Sequence, residues 1–230
     1  MTFRARKTVL LAAVFVLFAS VAGFAQLPCG VANQIVCEPW DGGSNLFASQ
    51  NDTNTNGFGN FATSYTQFTL PNTHPDWSLE SFHWVGGYFN PPNQGPITAW
   101  TLTFYNDNAG IPGNAIASGV FPGNGGETFI GNVNGFPIYV YWLYFQDFDV
   151  LSGTYWASVV PDLGFPPQWG WASATAGNGY QCFFGTCGSL GVGLAFAIDG
   201  TPTGTPEPGT LILLGTGVLG LAGTLRRKLL

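Results

Sequence analysis

Between Gln26 and Thr205 the chain supplies strands and turns, and little from which to build a helix. Trp100, Leu102 and Phe104 alternate with Thr101, Thr103 and Tyr105. Val192, Leu194, Phe196 and Ile198 alternate with Gly193, Ala195 and Ala197. A period of two places each set on one face of a strand. Further apolar segments run over 61–70, 79–85, 128–133, 138–145, 155–160 and 169–174, each set off by Gly, Pro or Asn. Lys and Met are absent from this stretch, Glu is scarce, and no 3.6-residue period is long enough for an internal helix. About eight short strands with turn residues between them predict an all-β fold, an antiparallel β-sandwich or jelly roll over residues 26–200. That length suffices for one ordinary domain with a real core.

Charge narrows the partners. All six basic residues lie near the ends, at Arg4, Arg6 and Lys7 and at Arg226, Arg227 and Lys228. Eleven of the twelve acidic residues and no Lys or Arg lie between Gln26 and Thr205, a formal charge of −11 with His neutral. Phosphate recognition needs cations, so a nucleic-acid partner is excluded. Anionic lipid surfaces are disfavoured for the same reason. Ion pairs with Lys or Arg cannot form inside this segment.

The two ends read as addresses. Arg4, Arg6 and Lys7 precede the apolar run 9–18, and Gly23 and Ala25 occupy the −3 and −1 positions of a cut before Gln26. That order predicts a secretory signal peptide over 1–25. At the other end a Pro/Gly/Thr linker over 201–208 leads into an apolar segment over 209–225 and a basic tail over 226–230. The 15-residue run 211–225 would cover about 22 Å as a helix, which Thr210 and snorkelling Arg226, Arg227 and Lys228 extend toward the bilayer thickness. A transmembrane helix with the basic tail in the cytoplasm is expected. Four cysteines outside the cytoplasm predict disulfides. Three connectivities exist; the two local pairs, Cys29–Cys37 and Cys182–Cys187, are favoured, and neither has zinc-like spacing.

Pro206-Glu207-Pro208-Gly209-Thr210, the Leu/Gly-rich run and Arg226-Arg227-Lys228 closely resemble the PEP-CTERM sorting signal. Thr205 stands where most members have Val. The resemblance implies export from a Gram-negative-type bacterium. It also implies an exosortase-like processing enzyme as partner, anchorage in the inner membrane before processing, and a final place at the cell surface or in an exopolysaccharide matrix. It says nothing of the passenger. The passenger itself resembles a recurrent exported β-sandwich domain of unassigned activity, through Phe82-His83-Trp84-Val85-Gly86-Gly87-Tyr88, the stretch 102–113, Tyr155-Trp156-Ala157-Ser158-Val159, Trp169-Gly170-Trp171 and Phe196-Ala197-Ile198-Asp199-Gly200. That likeness supports a sandwich and supplies no chemistry.

Candidate sites are few. Asp52-Thr53-Asn54-Thr55-Asn56-Gly57 follows the front of a calcium loop, with Asp52, Asn54 and Asn56 as oxygen ligands. The closing acidic ligand would fall on Thr63, so an exposed Asn/Gly turn is the favoured reading and calcium the only cofactor in view. Asp107 sits in a second turn, where hairpin chemistry suffices. Asp147 and Asp149 share a face if their strand continues, but glycoside hydrolysis needs carboxyls that flank a sugar bond, and a solvated edge is favoured. His83 beside Trp84 reads as a packed, hydrogen-bonded residue. No serine elbow, phosphate loop or H-E-x-x-H motif occurs, so no catalytic residue is assigned.

Aromatics remain. In 138–145, Ile138, Val140, Trp142 and Tyr144 face one way, and Tyr139, Tyr141, Leu143 and Phe145 the other. A strand covered on both faces is favoured over an aromatic platform. Trp169 and Trp171, after Pro166-Pro167, are the expected exposed pair for sugar stacking, and Trp142 is a further carbohydrate-binding candidate. Three functions follow in order: an exported non-enzymatic matrix protein that binds carbohydrate, a structural adhesion module with no small ligand, and a secreted glycosidase or lyase.

Overall fold

The computed structural model describes residues 29–203. The expected signal peptide at 1–25, the Pro206-Glu207-Pro208 motif, the apolar run at 209–225 and the basic end at 226–230 lie outside the described residues. Among the described residues there are fourteen strands and no helix. The first seven are β1 (Gln34–Glu38), β2 (Leu46–Ala48), β3 (Gln50–Asp52), β4 (Gly59–Leu70), β5 (Asp76–Phe89), β6 (Ala99–Asp107) and β7 (Pro112–Pro122). The others are β8 (Thr128–Val133), β9 (Phe136–Leu151), β10 (Gly153–Asp162), β11 (Gln168–Ala172), β12 (Gly179–Phe183), β13 (Thr186–Ser189) and β14 (Phe196–Pro202).

They form two seven-stranded sheets. In the first, the long β5 pairs with β9 along one side and with β14 and then β11 along the other. β1 extends from β14, β2 from β11 and β8 from β9. The second runs β13-β12-β4, then β3 and β10 side by side on β4, then β6 and β7. Every pairing is antiparallel except the short contact of β3 with β10.

The inner faces meet in one aromatic core, giving a β-sandwich-like arrangement. Trp84 of the first sheet contacts Trp100 of the second at 4.7 Å between ring centroids, and Trp100 contacts Trp169 at 4.9 Å. Phe82 meets Phe104 across the same gap at 6.0 Å. Gly86 explains how so many large rings fit. A Cβ there would enter the indole of Trp169 and approach the Gly170 carbonyl oxygen to 2.7 Å, so the bare backbone is what lets the ring lie flat against β5.

Two expectations need correction. Trp169 and Trp171 do share a face of β11, but it is the inner one, and both are fully buried. Trp169 Nε1 donates to the Tyr141 hydroxyl (3.1 Å) and Trp171 Nε1 to the Ala195 carbonyl (2.8 Å). β11 lies between β5 and β2, and alternation alone does not say which face is the core. The linker also begins later than expected, because Thr201 and Pro202 end β14 opposite Ser78 and Trp77. Both local disulfides are present: Cys29–Cys37, which ties the preceding turn to β1, and Cys182–Cys187 across the β12–β13 hairpin.

Candidate functional site

The first sheet has an outer face that is only partly roofed. Val85, Ile138, Ala172, Ala195 and Ala197 lie under Trp40, which bridges to Ala174 and donates its indole N–H to the Gly43 carbonyl (3.1 Å). That cluster ends at Ala197, the register partner of His83. From there β5, β14 and β9 bring Ser81, His83, Asp199, Trp142 and Tyr144 side by side: Tyr144 is exposed, His83, Asp199 and Trp142 are partly exposed, and Ser81 is buried among them. Direct register places His83 opposite Ala197 and Trp142, and Ser81 opposite Asp199 and Tyr144.

A bulge makes this arrangement. The pairing of β5 slips between Leu79 and Ser81 against β9, and between Asp199 and Gly200 on the β14 side. Glu80 is the extra residue against β14 and lies opposite the three residues 145–147 of β9, which lets Leu79 and Phe82 both face the core while Ser81 and His83 lie on the other face. Without the slip, strict alternation from Leu79 would turn Ser81 and His83 inward and Phe82 outward.

The three polar groups close a triangle. Ser81 Oγ donates to Asp199 Oδ2 at 2.7 Å, His83 Nε2 lies 2.8 Å from the same oxygen, and Ser81 Oγ is 3.0 Å from Nε2. His83 and Asp199 expose 26% and 22% of their side chains. Theirs is the one ion pair available among the described residues, as the lack of Lys and Arg requires. The composition is Ser/His/Asp, but the geometry is not that of a relay. In a relay the carboxylate holds one ring nitrogen and the serine the other. Here both converge on Nε2, and the cluster fixes these hydrogen-bonding groups in place.

Aromatic rings border the cluster. Tyr144 is 71% exposed and meets the His83 ring edge-to-face at 6.3 Å. Trp142 is half-buried, with Gly126 packed close upon its indole and its backbone N–H donating to the Gly125 carbonyl (2.8 Å). The other seven of the eight tryptophans are buried. Trp142 thus lies apart from Trp169 and Trp171, on the opposite face of the sheet. The strand 138–145 is covered on both faces at Ile138 and Tyr139, and its outer face opens at Tyr144.

The Asp52 loop is built from the inside. Asp52 is buried, and Oδ1 accepts the backbone N–H groups of Phe165 (3.0 Å) and Asn54 (3.1 Å) while Oδ2 accepts that of Phe58 (2.9 Å). Burial pushes this carboxyl up, but the Phe165, Phe58 and Asn54 donors outweigh it and hold it below the usual range. Asn54 Nδ2 donates to the Phe165 carbonyl (2.6 Å), and Asn56 sits exposed at a left-handed φ of 63°. Three backbone donors on Asp52 give it a structural role that accounts for the D-x-N-x-N-G pattern. Among the described residues no group of three His, Cys, Asp or Glu side chains could hold a metal.

Asp107 behaves alike. It accepts from Trp156 Nε1 (2.7 Å), Gln67 Nε2 (2.9 Å) and the Gly110 N–H (3.1 Å), and these outweigh burial to lower its pKa. Elsewhere Glu127 Oε1 accepts the hydroxyls of Tyr88 (2.5 Å) and Tyr141 (2.8 Å). Burial, reinforced by that carboxylate, pushes both phenols up. Burial, then the neighbouring Tyr105, raises Tyr65 to about 12. A cleft of about 260 Å³ opens at the seam between β7 and β9, lined mainly by Leu102, Phe104, Phe121, Phe145 and Phe148. Asp147 is its one carboxylate, so the pair that glycoside hydrolysis requires is not assembled there. Asp149 is exposed on β9.

Sequence reasoning missed Ser81 and Asp199 as members of a site, and set aside Tyr144 with the aromatic platform it had weighed for 138–145. The available signal was a carboxylate, Asp199, at an outward position of the apolar segment 196–200.

Residues 205–228 match the family described as the PEP-CTERM protein-sorting motif. No curated protein and no solved structure matches the chain. Among the described residues no helix is long and apolar enough to cross a membrane. The chain therefore carries a PEP-CTERM sorting motif, which implies export and recognition by an exosortase, behind a β-rich fold.

Proposed function

We propose that this protein is an exported, surface-displayed β-sandwich that is non-enzymatic and binds a glycan of the extracellular matrix on the open outer face of its first sheet. Cleavage of an N-terminal signal peptide and anchorage through the C-terminal apolar run before processing belong to the same reading. One observation carries it: an exposed Tyr144 and a half-buried Trp142 border the partly exposed His83 and Asp199, which the buried Ser81 holds in place from beneath. Flat rings stack on the C–H faces of a sugar, and a carboxylate and an imidazole beside them suit its hydroxyls. Calcium is not needed for this reading.

Retention of the full chain on immobilised neutral polysaccharides tests it. Wild type is expected to be retained, and Tyr144→Ala and His83→Gln to lose at least fivefold in affinity. Retention unchanged by both substitutions would remove the site. The second reading, a structural surface module with no small ligand, is favoured by the burial of seven of the eight tryptophans. It gains if wild type itself binds no glycan. The third, a glycosidase or lyase, lacks converging carboxylates in the one apolar cleft described above.

A further inference from the structure

The two ends of β5 mark two different poles of the fold. At its start, Asp76 accepts the backbone N–H of Thr203, where the chain leaves the described fold. At its finish, Phe89 packs into a separate phenylalanine cluster with Phe61 and Phe165. Fourteen residues separate these poles, about 40 Å at strand rise.

The phenylalanine pole is exposed. Phe58, Phe183 and Phe184 show 59%, 40% and 55% of their surface. They are not loosely held. Phe184 contacts Phe183 at 4.9 Å, Phe61 at 5.1 Å and Phe58 at 5.3 Å. The Cys182–Cys187 disulfide clasps the hairpin just behind it, and the Phe184 N–H donates to the Phe61 carbonyl (2.7 Å). Phe184 itself sits at a left-handed φ of 46°, a conformation that costs a large side chain free energy and here projects the ring outward.

Charge distinguishes this pole from the other. Asp76, Glu80, Asp147 and Asp149 gather where the chain leaves, on β5 and the facing length of β9. Around the phenylalanines the exposed residues are uncharged: Thr53 to Gly57, Gly185 and Thr186. The adjoining carboxylates are engaged, Asp52 by three backbone N–H groups and Asp162 by Asn51 Nδ2 (2.8 Å). A domain that carries −11 can meet its own copy here without bringing exposed carboxylates together.

We infer that the phenylalanine pole is a self-association surface, on which a second copy of this chain docks tip to tip. Three half-exposed rings offer about 300 Å² per copy, about 600 Å² in a pair. That is the size of a weak contact, and a two-fold arrangement uses the same patch on both copies. The two Thr203 ends of the described fold then lie at opposite ends of the pair, so the contact suits two surfaces rather than two neighbours on one. Many copies on each surface supply strength by multivalency.

The test uses the full chain, biotinylated at its C terminus, on two colours of streptavidin particle. Wild-type particles are expected to form mixed-colour aggregates, more at 0.5 M than at 0.02 M NaCl because salt screens the repulsion between acidic domains. Phe183→Ser/Phe184→Ser should lower co-aggregation at least fivefold with near-ultraviolet circular dichroism retained. Thr186→Asp, which places a carboxylate on the tip, should lower it at low salt and recover at high salt. Tyr144→Ala should leave it unchanged, which separates this surface from the proposed glycan site. Unaltered aggregation in the folded Phe variant, no aggregation of wild type, or aggregation only when a neutral polysaccharide is added would each overturn the inference.

Discussion

Asp52 shows how single residues carry this fold. A protein without Lys or Arg in its domain must satisfy its carboxylates with neutral donors, and Asp52 and Asp107 recruit backbone N–H, amide and indole groups. Both have their folded pKa lowered. The stability they contribute is complete above the unfolded value near pH 4 and is lost as pH falls through the folded value. Glu38 runs the other way, since burial raises it, so its charged form weakens the fold. Urea titrations between pH 6 and pH 2 should therefore show stability falling below about pH 4, with a shallower fall in Asp52→Asn and Asp107→Asn. Gly86 is the second such residue. Gly86→Ala would drive a methyl into the Trp169 ring and the Gly170 carbonyl, and overpacking of this kind costs about 1–3 kcal/mol. A lower urea midpoint with an unchanged slope is the expected result.

Strands differ in how much they depend on their neighbours. β5 is hydrogen-bonded along both sides by β9, β14 and β11, and it supplies inward rings throughout its length. β13 is its opposite, a four-residue edge with every residue exposed, joined to the fold through β12. The Cys182–Cys187 bridge closes a loop of separation 5, for which chain entropy gives about 2 kcal/mol. In Cys182→Ser/Cys187→Ser, amide exchange should accelerate over 180–189 while β5 and β10 keep their protection. Equal acceleration everywhere would mean that the hairpin and the core unfold as one unit. β9 beyond Tyr141 has only β5 as a strand partner among the described residues. Asp147 and Asp149 sit exposed on that free edge, where charges discourage edge-to-edge pairing.

At the scale of the molecule, net charge acts without internal compensation. The domain holds −11 with histidine neutral, and His83–Asp199 is the single basic–acidic contact among its described residues. Added salt therefore screens mainly repulsion. The thermal midpoint should rise between 0.02 M and 0.5 M NaCl, by about 2–4 °C for each kcal/mol of repulsion removed in a domain of this size. A falling midpoint would show that attractive charge pairs dominate instead. The same field explains why the acidic pole and the phenylalanine pole are suited to different tasks.

Much of this was legible in the residues. Alternation and apolar runs between turn residues named β4, β5, β6, β8, β9, β10, β11 and β14, although the last begins at Phe196 and leaves 192–195 outside it. The cysteine spacing named both disulfides, and the motif at 205–228 named the sorting signal. The short or polar strands β1, β2, β3, β12 and β13 and the edge strand β7 were not legible, since their pairing is set by neighbours distant in sequence. Nor was the site. Alternation shows that Trp169 and Trp171 share a face but not that the face is inward, which depends on the second sheet lying against it. The irregular pairing at Glu80, extra against β14 and opposite three residues of β9, decides that Ser81, His83 and Asp199 share the outer face beside Tyr144. Local chemistry thus determined which segments are strands, while side and proximity were decided by long-range packing.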